Sequence, residues 1–163
     1  MSSYLALAVS VGVLAVVATW IFFFDPVAAA NLQVWQAFIA WGCHYQAGGK
    51  MTGTRNTIVC MSFGAVVGMA AGMLALHLGG HIGQFAAPIA VGLGATVICL
   101  ASKVPFLAVI PASVYGFASI AGLFLLNANM TPTTALVPTI LSIVIGAAFG
   151  YVSEVVAGAL TKK

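Results

Sequence analysis

The segment Gln33-Val34-Trp35-Gln36-Ala37-Phe38-Ile39-Ala40-Trp41-Gly42-Cys43-His44-Tyr45-Gln46 holds most of the residues that could do chemistry. At about 100° per helical residue, Gln33, Gln36, Ala40, Cys43, His44 and Ala47 share one side, and Trp35, Phe38, Trp41 and Tyr45 share the other. Amide, thiol and imidazole groups on one stripe can bind and pass a small polar molecule by exchanging hydrogen bonds. Indole and phenol rings can form a constriction beside it, or meet lipid. His44 reads either as a neutral histidine bonded across helices or as a pore-lining donor and pH-sensitive gate. Glu154 is the acidic group of the last apolar segment. It reads as a boundary carboxylate paired with Arg55 or Lys103, or as a site for proton or cation coupling. His77 and His81 are four residues apart, but Gly79-Gly80 is expected to break the helix between them, so no metal site is assigned.

The elements that carry these groups follow from composition. The chain has 163 residues, of which 4% are charged, against about 25% in soluble domains. Apolar residues make up 63%, the mean hydropathy is +1.16, and the sequence pI of about 8.9 reflects only five cations and two anions. Too few polar groups exist to cover a water-soluble surface. The expected class is an all-α integral membrane protein in a single transmembrane domain, residues 1–163. Nucleic-acid binding, a coiled coil and disorder are excluded. Cys43, Cys60 and Cys99 are an odd set in apolar runs, which excludes a disulfide scaffold and reads as small packing residues.

A spanning helix takes about 20 residues, so six spans with short loops fit the length. We expect them at about 4–24, 33–49, 56–78, 83–102, 105–126 and 134–159. The first is to stop at Asp25-Pro26, and Gly48-Gly49-Lys50 is to open a loop after the second. Residues 1–30 read as a retained helix rather than a cleaved leader, because Met1-Ser2-Ser3-Tyr4 carries no cation. Lys50, Arg55, Lys103, Lys162 and Lys163 then share the side of the N-terminus, and Asp25 lies opposite. The positive-inside rule puts both termini in the cytoplasm.

The halves, about 4–80 and 83–160, echo each other. Val11-Gly12-Val13-Leu14-Ala15 matches Val91-Gly92-Leu93-Gly94-Ala95. Val66-Val67-Gly68-Met69-Ala70-Ala71-Gly72 matches Val144-Ile145-Gly146-Ala147-Ala148-Phe149-Gly150, and Tyr45 is set against Tyr115. The offsets are about 80, 78 and 70 residues. Chance similarity of Gly/Ala/Val-rich helices is the competing reading. Three spans per unit would make the second unit enter from the opposite side, an inverted repeat. Small residues recur at helical spacing in Gly64, Gly68 and Gly72, in Ala108, Ala112 and Gly116, and in Ser142, Gly146, Gly150 and Gly158. Such faces let helices approach closely, within or between protomers.

Trp35…Phe38…Tyr45 followed by Gly48-Gly49, Phe106…Pro111…Tyr115-Gly116, and the run Gly146-Ala147-Ala148-Phe149-Gly150-Tyr151 resemble a bacterial inner-membrane family, domain of unknown function 1097. The resemblance covers about residues 5–160. It implies a small inner-membrane protein and assigns no catalytic residue.

The functional expectation is a passive channel or facilitator for small neutral or weakly polar solutes such as urea, amides or small acids. Ion paths display charge rings or carbonyl filters, and neither is present. Gln36, Cys43 and His44 would line the path, with Trp41 and Tyr45 at a constriction. One alternative is a proton-coupled transporter using Glu154 or His44, and another is a non-transporting accessory subunit. The expected partners are the bilayer, a solute and further copies of the chain. No enzyme activity, cofactor or metal is expected.

Overall fold

The computed structural model describes residues 1–161, and the expectations placed on Lys162 and Lys163 lie outside the described residues. The described chain is all-helical. Its α-helices are α1 (Ser3–Phe22), α2 (Asp25–Ala29), α3 (Val34–Gln46), α4 (Lys50–Ile82), α5 (Ala86–Ala101), α6 (Ile110–Leu126) and α7 (Leu136–Leu160). Three stretches are long and apolar enough to cross a membrane: Ser3–Phe22, Lys50–Ala101 and Leu136–Leu160. The second joins α4 and α5 through a 3₁₀ turn at Gly83–Phe85. Ile110–Leu126 is a shorter apolar helix.

Several expected boundaries are corrected. Residues 50–55 are not a loop; they form the first turns of α4. Gly79-Gly80 does not break that helix, which continues to Ile82 and stops at Gly83, where φ is +55°. Each helical glycine is unfavourable by about 1 kcal/mol, too little to interrupt a long hydrogen-bond ladder with no competing partner. The 33 residues of α4 span about 50 Å, against about 30 Å of hydrocarbon. Ala108 lies outside any helix: Pro105–Leu107 form a 3₁₀ turn, and α6 begins at Ile110, with Pro111 in its first turn. α1 ends at Phe22, before Asp25-Pro26, and that dipeptide starts α2 with proline in the first turn. Proline lacks an N–H, which the first turn does not need.

The longest helices, α4 and α7, form the centre. α4 packs chiefly against α6 and α5, and α7 against α3, α4 and α1. Glycine sets these contacts. A side chain at Gly64 would strike the Ser113 backbone, one at Gly68 would meet Phe117 and Ile120, and one at Gly72 would meet Phe124. Both numbers rise together, so α4 and α6 run parallel. On the other side, Ser142 Oγ accepts from the Gln33 amide at 3.0 Å. Gly146 abuts the Ala37 backbone and Gly150 abuts the His44 side chain, so α7 and α3 are parallel too. Gly116 abuts the Met61 backbone, and Ala112 is fully buried. The small-residue faces are thus occupied within the protomer. Gly158 is an exception, with open space beside it.

Candidate functional site

The turn from α3 into α4 positions the ionisable groups. Gly48, Gly49 and Lys50 all have positive φ (+115°, +64° and +51°), which folds the chain back within a few residues. The Gly49 amide donates to the His44 carbonyl at 3.0 Å, closing the end of α3. His44 thus sits in the last turn of α3, at the negative end of its dipole. The first amides of α4 lie beside it. Glu154 of α7 reaches this junction. Its Oε2 lies 2.9 Å from His44 Nε2 and also accepts from the Lys50 backbone amide. A carboxylate is favoured at a helix N-terminus and a protonated imidazole at a C-terminus, so both dipoles support this pair. A Cβ at residue 49 would lie 2.6 Å from Glu154 Oε1, so a larger residue there would displace the carboxylate as well as strain φ.

His44 is fully buried, and Glu154 is 30% exposed. The expected Glu154 partners, Arg55 or Lys103, are therefore replaced by a histidine 110 positions earlier in the chain. On the far side of the ring, His44 Nδ1 lies 3.2 Å from Thr54 Oγ1, and that hydroxyl lies 3.0 Å from the Lys50 carbonyl. The chain Glu154–His44–Thr54–Lys50 is a continuous hydrogen-bonded path.

A second network lies beside it, centred on Ser153. Ser153 Oγ donates to the Gly150 carbonyl at 2.7 Å and accepts from Trp41 Nε1 at 3.0 Å. The Tyr45 hydroxyl meets the same oxygen at 2.5 Å. Ser10 of α1 donates to the Ser153 carbonyl at 2.8 Å. Trp41 is buried between Phe38 and Phe149, with ring centroids at 5.7 and 5.5 Å. The aromatic stripe is thus split: Trp41 faces inward, while Phe38 is exposed.

Gln36 is fully buried at the meeting of α3, α6 and α7. Its Nε2 donates to the Ser119 carbonyl at 2.8 Å and to Thr139 Oγ1 at 3.1 Å. Its Oε1, and the hydroxyls of Thr57, Ser113 and Ser119, are buried and bonded to no described protein group. Cys43 is buried beside Cys60 and Met61 in the core. The polar stripe therefore faces the bundle interior, as polar groups in an apolar helix should. Gln36, Trp41, Cys43 and His44 are packed, while Tyr45 and Glu154 line an open cleft. Sequence reasoning missed Thr54, Ser153 and Ser10. Isolated hydroxyls in apolar helices were the available signal.

That cleft, about 620 Å³, is bounded by Ser3 and Leu7 of α1, Tyr45, Lys50, and Tyr151 and Glu154 of α7. A second, about 590 Å³, lies between α4, α5 and the end of α6. It is almost wholly apolar, with Gly72, Leu76, Ala87, Phe124, Leu125 and Met130 among its walls. His77 and His81 stand on the continuous end of α4 with ring centroids 5.9 Å apart, but the described residues contain no group of three metal-ligating side chains.

An all-helical bundle with a glycine-packed core, one ionisable pair at the mouth of a cleft and three stretches apolar enough to cross a membrane is compatible with a membrane protein. The chain belongs to the family described as protein of unknown function (DUF1097), whose model matches residues 8–158. No curated protein and no solved structure shows detectable similarity to it.

Proposed function

We propose that this protein carries small polar solutes across a bacterial inner membrane, as a six-span 3+3 inverted repeat with both termini cytoplasmic. The observation that carries the reading is the pair of clefts. A shift of about 80 residues takes α1, α3 and α4 onto α5, α6 and α7. Under it Gly64–Ser113 corresponds to Ser142–Gln33, Gly68–Phe117 to Gly146–Ala37, and Gly72–Phe124 to Gly150–His44. The same shift takes Leu7 to Ala87 and Tyr45 to Leu125, and relates Glu154 to Leu76, so one cleft maps onto the other. It favours pairing Tyr45 with Leu125 over Tyr115. Inverted repeats place such openings at opposite membrane faces, as alternating access requires.

The sealed packing of Gln36, Trp41, Cys43 and His44 supports a gated carrier over a standing pore. The His44–Glu154 pair supports proton linkage, since a titratable pair inside a membrane protein is the usual coupling element. A passive facilitator for neutral solutes is the second reading. The unpartnered buried oxygens of Gln36, Ser113 and Ser119 favour it, because a hydrogen-bonding solute could use them.

Flux of small amides and amines into proteoliposomes, with and without an imposed pH gradient, tests both. The carrier reading expects gradient-driven accumulation in the parent and its loss in Glu154→Gln. Equilibration without accumulation selects the facilitator, and permeability equal to that of empty liposomes removes transport altogether.

A further inference from the structure

The cleft at Glu154 is an asymmetric site. Its counterpart in the other half has Leu76 at the corresponding place and no carboxylate. Glu154 Oε2 is saturated by His44 and the Lys50 amide, whereas Oε1 accepts no hydrogen bond from the described protein groups. Two tyrosine rings, Tyr45 and Tyr151, line the same space, and the Tyr45 hydroxyl is already committed to Ser153. A free carboxylate oxygen beside aromatic faces in a mostly apolar cleft matches a small cation bearing N–H donors. The oxygen takes a charge-assisted hydrogen bond and the rings take the cation–π contact.

The proton inventory sets the charge of the His44–Glu154 pair, to which the Lys50 ammonium on the same cleft adds one positive charge. Thr54 Oγ1 has one hydrogen and two acceptors within reach, the Lys50 carbonyl at 3.0 Å and His44 Nδ1 at 3.2 Å. If the hydroxyl donates to the carbonyl, it accepts from Nδ1–H. The Nε2···Oε2 contact then holds a second proton, and the His44–Glu154 pair is neutral overall. If the hydroxyl turns to donate to Nδ1, that nitrogen carries no proton. Nε2–H then donates to a carboxylate, and the pair has a charge of −1. The two states differ by one proton released from Nδ1 and a rotation of one hydroxyl. The charged or titratable groups facing the pair are Tyr45 of α3, Lys50 of α4 and Tyr151 of α7. From α1 come Ser3 and Leu7, which carry no charge.

We infer that the Glu154 cleft binds a small organic cation of the guanidinium or primary ammonium class, in exchange for one proton of the His44–Glu154 pair. This deepens the transport reading and rests on it for its use in the cell; the binding itself is measurable without transport.

Methylguanidinium and its neutral counterpart methylurea are suitable probes, because they differ chiefly in charge. Calorimetry on the purified full chain in detergent, in two buffers of different ionisation heat, reads affinity and proton release together. The expected result is methylguanidinium binding at least about tenfold tighter than methylurea, strengthening as pH rises, with about one proton released. Glu154→Gln should abolish the preference. Tyr151→Leu, a change at a half-exposed ring with no hydrogen bond to lose, should weaken the cation several-fold and leave folding intact. Equal binding of the two probes, no proton exchange, or parent-like affinity in Tyr151→Leu would overturn the inference. If Glu154→Gln does not fold, the probe contrast and Tyr151→Leu still decide. Cation binding with no flux in proteoliposomes would sink the transport reading and leave this site standing.

Discussion

Residue 49 is constrained by both its backbone conformation and a neighbouring side chain. Its φ of +64° suits glycine, and a Cβ there would press on Glu154 Oε1. Gly49→Ala should therefore lower stability by about 1–3 kcal/mol. Gly158→Ala, on the same helix as Glu154 but with open space around it, should be neutral or slightly stabilising. Unfolding midpoints in a denaturing-detergent titration compare them. Equal midpoints for both variants and the parent would mean that the turn does not clamp the carboxylate. At this scale the stripe carrying Gln36, Cys43 and His44 was legible, because helical periodicity alone puts polar groups on one face. The partners were not. Glu154 meets His44 across 110 residues of sequence, and the local charge pattern pointed instead to Arg55 or Lys103. Ser153 was illegible for the same reason, since its value lies in accepting from Trp41 on another helix.

The helices are held by glycine and alanine rather than by large side chains. Lipid gives apolar side chains no reason to leave it, so close backbone packing and interhelical hydrogen bonds must hold the bundle. Gly64 and Gly146 lie against the backbones of Ser113 and Ala37, which cannot swing aside. Gly12 and Gly92 face open space on α1 and α5. Gly64→Ala and Gly146→Ala should each destabilise by about 2 kcal/mol or more, as overpacking does, while Gly12→Ala and Gly92→Ala should be silent. Thermal aggregation of the solubilised protein separates the two pairs. Loss of stability in Gly12→Ala would mean that this face is buried by something outside the single chain. The small-residue faces could be read from spacing, but not which helix would fill them. Gly64, Gly68, Gly116, Gly146 and Gly150 make close contacts within one copy. Helix ends were missed at Pro111, since the span was expected from residue 105 and α6 begins at Ile110, and at Gly79-Gly80, because nothing nearby competes for the backbone groups.

At the scale of the whole molecule, direction is the property that the two halves must satisfy together. α4 and α6 run parallel, and so do α7 and α3. That pattern fits six alternating crossings in which each parallel pair is separated by a return pass. The α3–α4 turn, the Lys103 turn and the N-terminus then share one face. The α1–α2 junction, the Gly83 turn and the segment before α7 share the other. Lys50, Arg55 and Lys103 all fall on the first face, which the proposed topology makes the cytoplasmic one by the positive-inside rule. Under that proposal the Glu154 cleft, bounded by Ser3 and Lys50, opens there, and the apolar cleft opens on the opposite side. Single cysteines read this directly once Cys43, Cys60 and Cys99 are replaced by alanine. Cysteine at Met51 or Ser102 should react with a membrane-impermeant maleimide only in inverted vesicles. Cysteine at Asn31, Gln84 or Asn129 should react only in intact spheroplasts. Met51 and Gln84 reacting from the same side would remove the inverted repeat and with it the argument from paired clefts. Met51 reacting only from outside would keep the repeat but reverse the molecule, so that Glu154 would meet the periplasm rather than the cytoplasm.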